Sequence, residues 1–316
     1  RLFIFARMNL ILFQSMMAAA ALGAGLALPV SAQSSSPAFS ASPEGSRAGK
    51  TAKMPVYPIP QKMTRSGGSV TVPALKLLGA RDEPTVNALK SMFSLAPNGL
   101  PVQMTIIKGS NKPAGNVPRK AGAYSLSVTP QGIRMTGYDD EGLFYAAQTL
   151  LQLAEKTSSG VTVPEVEVLD WPDVPFRGTI EGFYGLPLGQ EGRISQFKFY
   201  GKYKMNTYIY GPKDDVFHGF SKRWREPYPA DMAKDLKELV KVAKQNKVNF
   251  VWAVHPGADI HWGEADRKAA VKKFEMMYDL GFRSFAVFFD DIGGEGAKPE
   301  GQVEFLNYLN KKLIHK

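Results

Sequence analysis

Phe285-Ala286-Val287-Phe288-Phe289-Asp290-Asp291 is the stretch on which the reading of this chain turns. Five apolar residues, aromatic and β-branched types among them, predict a short, fully buried strand. Two carboxylates then follow where the strand is expected to stop. Successive side chains on a strand point to opposite faces, so these two are expected to diverge. Charge beside an apolar core must be solvated, paired or neutralised. Division of roles between a proton donor and a charge stabiliser is one reason to place two acids there, and it points to a hydrolase.

The same rhythm recurs upstream. A strand is predicted from Phe176 to about Tyr184, then a helix over Arg193–Lys204. A second strand, Thr207–Tyr210, precedes a helix over Ala230–Gln245. A third, Asn249–Val254, precedes a helix over Ala265–Leu280, and a last helix over Gly301–Lys312 follows the Asp pair. Four consecutive strand–helix units imply parallel strands with right-handed crossovers. Gly182-Phe183-Tyr184-Gly185, after the first strand, matches neither glycine-rich phosphate-loop pattern. The expected fold class is therefore α/β, the N-terminal half of a (β/α)8 TIM barrel. Residues 171–316 would supply its first four βα units. Half a barrel leaves strand edges unpaired, so a truncated domain is expected.

Trp171-Pro172 marks a boundary. Before it, residues 55–170 read as a small α+β domain with strands at Ser69–Pro73, Val102–Lys108, Tyr124–Thr129 and Ile133–Tyr138. Its helices are expected at Glu83–Phe93 and Glu141–Lys156, the latter capped by Asp139 or Asp140. Residues 33–54, rich in Ser, Ala, Pro and Gly, read as a flexible linker. Residues 1–32 read as a signal peptide: Arg7 is basic, residues 9–29 are mostly apolar, and Val30-Ser31-Ala32 suits cleavage. Met8 is a candidate start. The expected location is periplasmic or secreted, with no membrane span after cleavage.

The 316 residues are 44% hydrophobic and 22% charged, values ordinary for a soluble globular protein. The net charge of +10 comes from dispersed Lys and Arg, which reads as solvated surface rather than a nucleic-acid interface. The absence of cysteine excludes disulfides, thiolate metal sites and cysteine nucleophiles. His255 and His261 have a loose metal-like spacing with no obvious third ligand, so neither a metal nor a cofactor is expected.

In a barrel the active site lies at the carboxyl ends of the strands. Here those ends are Glu181-Gly182-Phe183-Tyr184-Gly185, Tyr210-Gly211-Pro212-Lys213-Asp214-Asp215, His255-Pro256-Gly257 and Asp290-Asp291. Together with Arg177-Gly178-Thr179-Ile180, Asn206-Thr207-Tyr208-Ile209, Phe250-Val251-Trp252-Ala253-Val254 and Arg283-Ser284 before them, these segments resemble glycoside hydrolase family 84. That family comprises the β-N-acetylglucosaminidases that include O-GlcNAcases, and a small domain like residues 55–170 precedes its barrel. The resemblance covers about residues 55–316.

The resemblance implies release of terminal β-linked N-acetylglucosamine from glycoconjugates, with retention and with the substrate supplying its own nucleophile. The 2-acetamido carbonyl oxygen attacks the anomeric carbon and gives an oxazoline, an exception to the rule of two enzyme carboxylates. It implies that Asp290 orients the acetamide N–H, and that Asp291 is the general acid and then the general base. Lys213 would hydrogen-bond sugar hydroxyls and the Gly182 carbonyl would meet the sugar. Tyr184 could line the same pocket or belong to the core. Asp214 and Asp215 would hold their loop. The pocket residues carried by later strands of the family have no counterpart before Lys316. Two alternatives stand beside this reading: an inactive fragment or non-catalytic sugar-binding remnant, and a metal-dependent hydrolase with Asp290 and Asp291 as ligands.

Overall fold

Burial alternates along strands such as Gly132–Gly137 and Gly160–Asp170 and is nearly continuous along Thr207–Tyr210, Asn249–Val254 and Ser284–Val287, and the two kinds belong to two sheets. The computed structural model describes residues 9–12, 56–109 and 115–314. In chain order the elements are β1 (Asn9–Leu12), β2 (Lys62–Val72), β3 (Leu75–Gly79), α1 (Glu83–Lys90), β4 (Leu100–Ile106), β5 (Tyr124–Thr129), β6 (Gly132–Gly137), α2 (Asp140–Leu153), β7 (Glu155–Thr157) and β8 (Gly160–Asp170). They continue as β9 (Gly178–Glu181), α3 (Gln190–Lys202), β10 (Thr207–Tyr210), α4 (Ala230–Gln245), β11 (Asn249–Val254), α5 (Glu264–Asp279), β12 (Ser284–Val287) and α6 (Pro299–Leu309). The signal peptide expected over 1–32 and the linker over 33–54 lie outside the described residues, apart from Asn9–Leu12. No helix among the described residues is long and apolar enough to cross a membrane.

The first sheet runs β2-β8-β5-β6-β4-β3, with β7 beside β8. Val102, Met104, Leu126, Val128, Ile133 and Met135 form a core with Leu143, Ala146, Ala147 and Leu150 of α2. Asp139 caps α2, its carboxylate accepting from the Gly142 N–H at 2.9 Å, as expected of an N-cap acid. The sequence reading omits β3, β7 and β8. In β8, Pro164 breaks the alternation of Val161, Val163, Val166 and Val168, and a proline argues against a strand. The structure accommodates it with a bulge between Arg65 and Ser69 of β2, which shifts the register across from Pro164.

The second sheet runs β1-β12-β11-β10-β9 and is parallel throughout. One face carries Tyr208, Tyr210, Phe250, Trp252 and Phe285, packed with Phe197 and Tyr200 of α3, Leu236 and Leu239 of α4 and Phe274 of α5. The other carries Ile209, Val251, Ala253, Ala286 and Phe288. The expected strand Phe176–Tyr184 shortens to Gly178–Glu181. At its start Gly178 lies so close to β10 that a Cβ would sit 1.5 Å from the Thr207 carbonyl oxygen.

Two lysines tie the sheets together. Lys204 and Lys247 each follow a helix in the left-handed region, at φ 59° and 55°, where glycine is the usual residue. The Lys204 ammonium donates to Tyr124 Oη at 3.0 Å and lies 3.6 Å from Asp170. That of Lys247 meets Asp82 at 2.7 Å and Asp140 at 2.5 Å, at the N-termini of α1 and α2, where acids are favoured by the helix dipole.

Glu181 departs from the expectation that the end of the first strand faces the site. It lies on the helix-packed face, 2% exposed. Its carboxylate accepts from Arg193 at 2.8 and 2.9 Å, from Tyr208 Oη at 2.6 Å and from the Leu188 N–H at 2.9 Å. Removing one partner of such a pair strands the other in a poorly solvated place. Glu181→Ala should therefore lose about 3–5 kcal/mol of stability in urea unfolding. Glu181→Gln, which keeps the volume and one acceptor, should lose less.

Candidate active site

Period-two counting from the inner face of the second sheet locates the site. Ile180, Ile209, Ala253 and Phe288 lie on the inner face of β9, β10, β11 and just beyond β12, although in register Ile209 pairs with Val251 and Ala253 with Ala286. Two residues further along each, the same face receives Gly182, Gly211, His255 and Asp290. Gly211 leaves room for its neighbours, since a Cβ there would lie 2.5 Å from the Phe288 ring.

The two aspartates do not diverge as expected. The strand ends at Val287, and Asp291 adopts the left-handed conformation at φ 54°. Aspartate tolerates this region better than most residues. Strand alternation does not hold through such a turn, and both carboxylates reach the same ammonium. Lys213 Nζ hydrogen-bonds Asp290 Oδ2 and lies 3.8 Å from Asp291 Oδ2. The Lys213 side chain is 3% exposed, against 40% for Asp290 and 60% for Asp291. The cation is thus buried behind two carboxylates that face solvent.

Other groups fix the pair. His255 Nε2 donates to the Asp290 carbonyl oxygen at 2.7 Å and lies 3.4 Å from Asp290 Oδ1. His255 and Lys213 together hold the Asp290 carboxyl far below the usual carboxylate range, against the opposing effect of partial burial. Tyr184 Oη donates to Asp291 Oδ2 at 3.3 Å, which puts this tyrosine beside the acid pair and not in the core. The Phe220 ring stacks on His255 with centroids 4.0 Å apart, and Lys213 Nζ lies 4.5 Å from the same ring centroid. Asp215 secures the loop that carries Lys213, accepting from Tyr210 Oη and Tyr228 Oη at 2.7 Å and from the Phe217 N–H at 2.9 Å.

The structure thus gathers Asp290, Asp291 and Lys213, with Gly182 on the same rim. Sequence reasoning missed the link from His255 to Asp290 and the part played by Phe220. Counting two residues on from Ala253 would have aimed His255 inward; nothing local signals Phe220, which depends on a loop. The chemistry of the arrangement is a fixed, ionised carboxylate next to a second, solvent-facing one. Among the described residues no group of three or more His, Asp or Glu side chains is placed to hold a metal ion.

Residues 177–316 match the family model for beta-N-acetylglucosaminidase, and residues 53–171 match that for glycosyl hydrolase family 20, domain 2. The chain is 39% identical over 116 residues to the Protein O-GlcNAcase of Rattus norvegicus, covering 36% of this chain and 12% of that protein. It is 33% identical over 120 residues to the Beta-hexosaminidase of Vibrio vulnificus, covering 37% of this chain and 13% of that one. The solved structure of CpGH84B superposes with a TM-score of 0.73 at 37% identity, over 82% of this chain and 47% of that one. That of CpGH84D gives 0.70 at 28% identity, over 83% and 48%. The chain therefore spans about half the length of the solved structures it matches and far less of the curated relatives. These likenesses bear out the resemblance to family 84 and relate the chain to glycoside hydrolases of the O-GlcNAcase and hexosaminidase type.

A second histidine underlies the site. His218 Nδ1 donates to the Ala253 carbonyl oxygen at 2.6 Å, and burial pushes its pKa down to about 4. The unfolded chain, with histidine near 6.5, binds this proton first as pH falls. Stability should therefore be full above pH about 6.5 and decline as pH falls toward about 4. His218→Asn keeps a donor near the Nδ1 position and should remove that part of the decline in urea unfolding measured across this window.

Proposed function

We propose that this chain carries the catalytic acid pair of a retaining β-N-acetylglucosaminidase that works by substrate assistance. The observation that carries the reading is the convergence of Asp290 and Asp291 on the buried Lys213 ammonium, at the carboxyl end of a parallel sheet. On this reading the sheet is the first half of a (β/α)8 barrel, preceded by a small α+β domain over residues 55–170.

In the first step the acetamide carbonyl oxygen of the substrate bonds to C1 as the C1–aglycone oxygen bond breaks. Asp291 gives its proton to the departing oxygen. Positive charge grows on the acetamide nitrogen, and the Asp290 carboxylate, held ionised by His255 and Lys213, accepts its N–H and stabilises that charge. In the second step water bonds to C1 and opens the oxazoline, and Asp291 takes the proton from that water. The exposed position of Asp291 suits contact with both the aglycone and water. Lys213 would orient sugar hydroxyls as well as Asp290, and Gly182 leaves the rim open to the ring. The ligands are N-acetylglucosamine-containing glycoconjugates, met in the periplasm or outside the cell if residues 1–32 act as a signal peptide.

A second reading is sugar binding without turnover. The chain spans about half of the matched structures. Release of fluorophore from an aryl N-acetyl-β-D-glucosaminide by the purified chain separates the two: turnover supports the enzyme, saturable binding without turnover the alternative. In an active form, Asp291→Ala should keep slow turnover of aryl glycosides with good leaving groups and lose about 10²–10⁴-fold on poor ones. Equal losses on both would remove Asp291 from the acid role. Asp290→Asn should lower kcat by roughly 10²–10³-fold whatever the leaving group.

A further inference from the structure

We propose that His255 is a positioning residue for Asp290, acting through a donated Nε2–H. A carbonyl oxygen only accepts, so the 2.7 Å contact with the Asp290 main-chain oxygen requires the proton on Nε2. That N–H holds the main chain just before the left-handed turn at Asp291, and it faces Oδ1 of the Asp290 carboxylate at 3.4 Å. The other carboxylate oxygen, Oδ2, meets Lys213. Asp290 is therefore held from two sides and at two levels, main chain and side chain.

The imidazole is built into place from behind. The ring is fully buried, and the backbone N–H of His255 donates to the His218 carbonyl oxygen at 3.0 Å. Gly219 permits that approach, because a Cβ there would lie 2.5 Å from the His255 Cβ. Phe220 adopts φ 52°, in the left-handed region that strains a bulky residue. The surrounding packing sustains it, and its ring then stacks on the imidazole at 4.0 Å and lies 4.5 Å from the Lys213 ammonium. One aromatic ring thus packs against both nitrogen partners of the same carboxylate. Among the described residues Nδ1 of His255 has no hydrogen-bond partner, which leaves Nε2 as the nitrogen through which the ring acts.

The kinetic part of this inference rests on Asp290 being the acetamide partner; the hydrogen bond itself does not. Ring 15N spectra of the histidine-labelled chain, assigned by substitution of its four histidines, should show His255 as the Nε2–H tautomer. An Nδ1–H tautomer would overturn the proposal. Affinity for N-acetylglucosamine-thiazoline, measured by calorimetry, should fall roughly 10–100-fold in His255→Phe, which keeps an aromatic ring and loses the donor. His255→Gln, which can place an amide donor near Nε2, should recover most of it. In Asp290→Asn the further change His255→Phe should cost nothing more, because the effect passes through Asp290. Multiplying losses, or unchanged affinity in His255→Phe, would reject the positioning role. If the unsubstituted chain binds no thiazoline, the sugar-site reading fails and the tautomer alone decides for His255.

Discussion

A buried ammonium facing two adjacent carboxylates is the constraint from which the rest of the site follows. Without a cation, neighbouring acids raise each other's pKa and one takes up a proton. With Lys213 behind them, both can face solvent close together, and Asp290 stays ionised far into acid. The dependence is mutual. A lysine with 3% of its side chain exposed would be costly without carboxylates to meet it. Neither half of the arrangement is stable in this geometry alone, which is why the loop carrying Lys213 is so firmly tied down.

That tying-down uses polar groups that stand next to the site in sequence and away from it in space. Glu181 adjoins Gly182 in the chain but engages Arg193 and Tyr208 on the helix-packed face. Asp215 follows Lys213 by two residues but gathers two tyrosine hydroxyls beneath the loop. Strand alternation separates Glu181 from Gly182, and a turn beyond β10, closed by the Asp215 N–H on the Pro212 carbonyl oxygen, separates Asp215 from Lys213. One face then carries aromatic packing and buried carboxylates that hold helices and loop, and the other presents Gly182, Gly211, His255 and Asp290. A motif match across such a segment therefore mixes groups that face the site with groups that support it.

Much of the second sheet was legible from periodicity. The strands Thr207–Tyr210 and Asn249–Val254 and the helix Ala230–Gln245 lie where the apolar pattern places them. The Asp pair stood out because charge at the end of an apolar run needs a reason. The first sheet was less legible. Pro164 disguised β8, since a proline in a strand is tolerated only where a bulge or edge accommodates it, and that bulge lies on β2, far away in sequence.

The sequence by itself determined the order of strands and helices, the parallel character of the second sheet and the candidate acids, because all of these rest on local period and residue type. Only the tertiary structure decided where those acids point. The left-handed turn at Asp291 cancels the alternation a strand would impose. The ammonium that collects both carboxylates comes from 77 residues before Asp290, and the imidazole that steadies Asp290 from 35 residues before it. No local pattern encodes such meetings: they arise only when parallel strands align their carboxyl ends and the loops between them are packed into place.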